Sequence, residues 1–174
     1  ALNTSSGAAT LVGTGPLTTL LTGTSFGFDF NPTVDRIRVV SNTGQNLRLN
    51  PNDGTVAAVD GNISIGTAFV TGAAYTNNFA GATTTVLYDI DAQAGVLYKQ
   101  DPPNNGTLTV VGSLGVTGTA DAGFDIGSTS GTAYALITTG TSTKIYTINL
   151  TTGAATAGTA LPQTARSFTL GLGF

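Results

Sequence analysis

"LRLNPNDG", residues 47–54, runs an alternating apolar and polar stretch into an Asn and sets a glycine four residues beyond it. The phrase returns as "LYDIDAQAG" at 87–95 and "IYTINLTTG" at 145–153, and in shortened form as "ALNTSSG" at 1–7. Aligned on the polar residue, Asn3, Asn50, Asp91 and Asn149 coincide, and so do Gly7, Gly54, Gly95 and Gly153. Period-two alternation marks a strand, an Asx side chain can bond the backbone of a turn, and glycine accepts positive φ without a steric cost. Each copy therefore predicts a β-hairpin hinge.

A second signature opens each unit: "GFDF" at 27–30, "GAAY" at 72–75, "GFDI" at 123–126 and "GLGF" at 171–174. It recurs about every 45 to 50 residues, a period suited to propeller blades and other β arrays. Further extended stretches follow it ("RIRVVS", "TTTVLYDID", "TAYALIT"), so a full unit reads as four strands separated by Gly, Asn, Asp and Pro turns. The expected fold class is all-β: tandem four-stranded meanders, β-propeller-like, with a β-sandwich as the runner-up because small β domains share these signals. A single domain over 1–174 is expected, with units at 26–66, 70–118 and 121–161 and a split unit made of 1–15 and 166–174. The second unit is the least regular, and a strand there is expected to be lost or fused.

Composition agrees with strands. Thr is about a fifth of the 174 residues, and it forms strands while turning a hydroxyl to water. All nine acidic residues are Asp, which prefers turns and caps to helix interiors. Charged residues are only 9%, and the net charge is -3. The six cations, Arg36, Arg38, Arg48, Lys99, Lys144 and Arg166, form no basic patch, which argues against nucleic acid. No apolar run approaches the length of a membrane-spanning helix. With no Cys and no His there is no thiolate, no imidazole ligand and no ordinary base for a Ser nucleophile. No cofactor and no catalytic residue is expected.

The stretch "FGFDFNPTVDRIRVVSNTGQNLRLNPNDGTVAAVDG", with "GAAYTNN", "TTTVLYDID", "PPNNGTLTVVGSLG" and "GTAYALI", resembles an uncharacterised bacterial family, the domain of unknown function numbered 4394. The resemblance covers almost the entire chain and implies a secreted or surface-displayed, β-propeller-like protein. It brings no ligand or catalytic residues. Members of that family continue upstream of the equivalent of "ALNTSSG" with further strand units, so the resemblance also implies a chain that is shortened or is completed from elsewhere.

The ends carry the functional expectation. "SFTLGLGF" supplies an opening strand, while "ALNTSSGAATLVG" supplies the end of a third strand and a fourth, leaving the second strand and most of the third missing. Open strand edges recruit other strands unless Lys, Pro or inward charge defends them, and neither end has much such defence. The expected function is that of a non-enzymatic extracellular or cell-surface structural protein, whose copies complete one another's sheets by strand complementation, with a fibre as one outcome. Leu2, Thr10, Leu11, Phe168, Leu170 and Leu172 are the candidate pairing residues. The alternative is a secreted module that binds glycans or a protein through loops such as "DPPNNG" and "NPTVD".

Two polar clusters invite chemistry and are outweighed by simpler roles. Asp29, Asn31 and Asp35 could offer oxygens to calcium, but the loop lacks the spacing and the distal Glu of a known pattern, and a turn with an Asp–Arg bond accounts for it. Asp89 and Asp91 share a strand face as a hydrolytic carboxylate pair would, yet Asp91 occupies the hinge position.

Overall fold

The computed structural model describes residues 1–64, 68–119 and 122–171. Its twelve strands form three antiparallel four-stranded meanders, each in simple chain order, and no α-helix occurs among these residues. The first sheet is β1 (Phe26–Asn31), β2 (Arg36–Ser41), β3 (Asn46–Leu49) and β4 (Val56–Val59); the second is β5 (Gly72–Tyr75), β6 (Leu87–Asp91), β7 (Val96–Gln100) and β8 (Leu108–Ser113). The third is β9 (Ala122–Ile126), β10 (Ala133–Thr139), β11 (Ser142–Ile148) and β12 (Ala155–Ala160). The first strands converge: β1 lies against β5, β5 against β9, and β1 also reaches β9.

The second sheet is complete, so no strand is lost or fused there. Its irregularity has two local causes, a register shift at Leu97 and Tyr98 and a short 3-10 turn at Pro103–Asn105 in place of a plain hairpin.

Alternation decides which side chains meet between sheets. Val40 of the first sheet packs with Tyr75, Leu87, Tyr98 and Leu108 of the second. The opposite face of the second sheet gives Ile90 and Leu97 to Phe124, Ile126, Ala135 and Ile137 of the third. Most of these side chains are almost fully buried, and each inter-sheet layer contributes about 25 cal/mol per Å² of apolar surface removed from water.

All four phrases fold into the same turn. The glycine N–H donates to the Asx carbonyl at Gly7–Asn3 (2.7 Å), Gly54–Asn50 (2.9 Å), Gly95–Asp91 (2.8 Å) and Gly153–Asn149 (2.8 Å). The glycine φ values are 71°, 70°, 68° and 83°. The Asx side chain accepts from turn N–H groups, as at Asn3 from Ser5 and Ser6 and at Asn149 from Thr151 and Thr152. The turns do not all stand at the same place in their sheets. Asn50 and Asn149 join third strands to fourth strands, whereas Asp91 joins the second strand, β6, to the third, β7. In the second sheet, the third-to-fourth connection is "DPPNNG", which ends on Gly106 at φ 69°.

Candidate functional site

The converging first strands interlock by one repeated contact. A Cβ at Gly27 would stand 2.5 Å from Ala73 of β5, and one at Gly72 would stand 2.9 Å from Phe124 of β9. A Cβ at Gly123 would stand 2.8 Å from the ring of Phe168. Glycine at the first motif position thus lets the next strand's second position close in, and residues 167–170 take the place of a fourth first strand. The motif copy that occupies this place is "SFTL", four residues ahead of the "GLGF" that the sequence suggests; residues 172–174 of that copy lie outside the described residues, Leu172 among them.

Aspartates reinforce the interlock. Asp29 accepts the Phe30 N–H with one oxygen (2.7 Å) and, with the other, the Tyr75 N–H of the next first strand (2.6 Å). Asp125 repeats this with Ile126 (2.8 Å) and Leu170 (2.7 Å), and also accepts the Thr169 hydroxyl (3.1 Å). Each clipped strand carries no Asp of its own at that position, having Ala74 or Thr169 instead. Asp29 takes a further bond from the Asn78 amide (3.0 Å), yet burial, with the Asp125 charge adding to it, pushes its pKa up to about 7.

The N-terminal segment lies against the Gly54 turn of the first sheet. In each following sheet the turn before the fourth strand abuts the outer edge of the preceding one: Gly106 meets Gly61 and Asn62, and Gly153 meets Gly112. Gly54 meets Val12 and Gly13 in the same manner. Residues 1–10 form a small hairpin, with Leu2 bridging Ala9 and the N–H of Thr10 donating to Ala1. Of the candidate pairing residues, Leu2 and Leu11 are 74% and 76% exposed, Thr10 is exposed, and Phe168 and Leu170 are half-buried against the third sheet. The N-terminal segment thus meets the first sheet at Gly54, and residues 167–170 meet the third at Gly123 and Asp125. Among the described residues, no strand pairs with 167–170.

Beside that place, β1 displays Phe26, Phe28 and Phe30 on one face, 36%, 59% and 45% exposed. The residues in the corresponding positions of β5, Ala73 and Tyr75, and of β9, Phe124 and Ile126, are buried by the preceding sheet. Between β1 and residues 167–170 lies a cleft in two lobes of about 430 and 450 Å³. Asp29, Phe30, Asp125 and Thr169 line both lobes; Phe28 and Phe168 line one, Asn31 and Asn78 the other.

The other expected clusters are structural. Asn31 accepts from Thr33 at the cleft wall it shares with Asp29, and Asp35 accepts from the Asn52 amide outside that cleft. Among the described residues no three acidic side chains converge as a cation site would require. Asp91 is spent on its turn, accepting from Ala94, and on Phe69. Asp89 points between the first two sheets, fully buried, with neither oxygen hydrogen-bonded; burial pushes its pKa up to about 8 against the pull of Arg38. Arg38, legible in the sequence only as one of six scattered cations in the stretch "RIRVVS", is a buried charge. It donates to Asp60 (2.6 Å), Asn46 (2.7 Å), Asn104 (2.7 Å) and Tyr75 (3.2 Å), while Arg48 grips Asp60 with two bonds of 2.8 Å. Asn104 belongs to "DPPNNG", a mostly exposed loop that ties the second sheet to the first through this amide oxygen.

The molecule is thus an all-β module of three repeated meander sheets with a cleft between β1 and residues 167–170. It belongs to the DUF4394 family, a domain of unknown function, whose model matches residues 1–170. No curated protein matches the chain. No helix among the described residues is long and apolar enough to cross a membrane.

Proposed function

We propose that this chain is a non-enzymatic structural protein of the bacterial cell exterior, whose copies associate by supplying strands to one another's fourth sheet. The observation that carries this reading is the segment 167–170, which takes the place of a first strand against Gly123 and Asp125 and, among the described residues, belongs to no sheet. A strand's free N–H and C=O groups form a template for another chain. The Phe26, Phe28 and Phe30 face adds apolar surface of the kind that a neighbouring sheet buries elsewhere in this molecule. The low charge density keeps repulsion between copies small, and the exterior location rests on the Thr-rich, charge-poor composition and the family resemblance. Light scattering and electron microscopy of the purified chain test it: rings or filaments are expected, and a monodisperse 17.4 kDa species at high concentration overturns it.

A second reading is favoured by the cleft itself, where Asp29, Asn31, Asn78 and Asp125 surround Phe30 and Phe79. Carboxylates and amides bond sugar hydroxyls while rings cover apolar sugar faces, so a glycan is the ligand class that this lining suits. Binding on a glycan array that Asn78→Ala abolishes would support it, and silence across the array would count against it.

A further inference from the structure

Resting on the assembly reading, we infer that the segment at residues 167–170 is exchanged between copies: this segment of one molecule docks on Gly123 and Asp125 of the next, in the groove that it fills within its own chain here. The fit of such a tail is guaranteed by the contact already present, because both copies carry the same groove and the same segment. Phe168 seats against Gly123, the Leu170 N–H donates to Asp125 at 2.7 Å, and the Thr169 hydroxyl does so at 3.1 Å. These side-chain bonds converge on one carboxylate. Residues 161–166 connect the tail to the third sheet through a mostly exposed stretch with Pro162, long enough to span about 20 Å when extended. Swapping an identical element trades each contact for its equal and so has a low free-energy cost.

The test uses two full-length variants, each defective in one half of the contact. Gly123→Val fills the groove where a Cβ already meets the Phe168 ring and leaves the tail intact. Phe168→Asp spoils the tail and leaves the groove intact. Leu170→Pro is a second tail variant, which removes the donated N–H without adding charge. Circular dichroism and melting curves that match the wild type establish that each is folded. Each variant alone is expected to elute as a monomer, and an equimolar mixture of a groove variant with either tail variant is expected to give a one-to-one dimer by native mass spectrometry. Mixtures that remain monomeric, or single variants that assemble as the wild type does, overturn the exchange. If the wild type assembles while these outcomes occur, only the exchange fails; a monomeric wild type removes the assembly reading as well.

Discussion

At the scale of single residues, Asp89 carries the clearest consequence. Its carboxyl is fully buried and unpartnered, and its pKa stands at about 8 when folded, against about 3.9 for an exposed Asp. The folded state therefore holds a proton that the unfolded chain releases. This contribution to stability is complete below about pH 4 and is lost as pH rises through 8, at about 1.4 kcal/mol per unit between the two values. Asp29, raised to about 7, acts in the same direction. Thermal melts across pH 4 to 9 should show stability falling with pH, and Asp89→Asn should flatten most of that slope. An unchanged slope in the variant would assign the dependence to another group. The hinge glycines make a second residue-scale contrast. Alanine at Gly153 meets the Gly112 backbone within 2.6 to 2.9 Å, whereas alanine at Gly7 meets nothing. Both substitutions incur the backbone cost of positive φ, about 1–2 kcal/mol. Only Gly153→Ala should lower the global melting temperature, because residues 1–10 form a small hairpin at the chain's end.

At the scale of elements, the hinge was legible because its chemistry is local: an Asx side chain, three intervening residues and a glycine determine the turn wherever it stands. Its place in the sheet was not legible. Asp91 and Gly95 form the same turn one strand earlier than their counterparts, and only the strand pairing reveals the shift. The same limit hid Arg38 and Asp60, which are 22 residues apart and meet only when β2, β3 and β4 pair side by side in the first sheet. Asp60 serves two guanidiniums with its own side chain 7% exposed, so Asp60→Asn leaves buried positive charge without its counter-ion. Such removals cost about 3–5 kcal/mol, while exposed pairs contribute about 0–1. Asp101→Asn, which breaks the exposed Lys99–Asp101 pair, is the control. Urea denaturation should separate the two by at least about 2 kcal/mol, and equal midpoints would show that Arg38 finds another partner.

At the scale of the whole molecule, motif counting is independent of geometry, and it pairs in a split unit two ends that touch different sheets: Val12 and Gly13 meet the Gly54 turn of the first, and Ser167 and Phe168 meet Gly123 of the third. What it could not show is that the interlocking copy is "SFTL", since Ser167 departs from the Gly of the other copies and Thr169 from the Asp of two of them, and only their neighbours identify them. Nor could alternation alone distinguish the aromatic face of β1 from a buried one: Phe28 aligns with Ala73 and Phe124, and all three read as inward. In β5 and β9 the preceding sheet covers that face, and in β1 Phe28 remains 59% exposed. If association covers it, Phe28→Asp should disperse assemblies, because an added carboxylate would be buried beside Asp29 and Asp125 in the cleft that both line. The substitution should leave the isolated fold within about 0.5 kcal/mol of the wild type, as exposed positions generally do. Sedimentation velocity should then show a monomer whose melting curve overlays the parent's. Undiminished assembly by Phe28→Asp would mean that copies meet through the strand edge alone, with this aromatic face left in water.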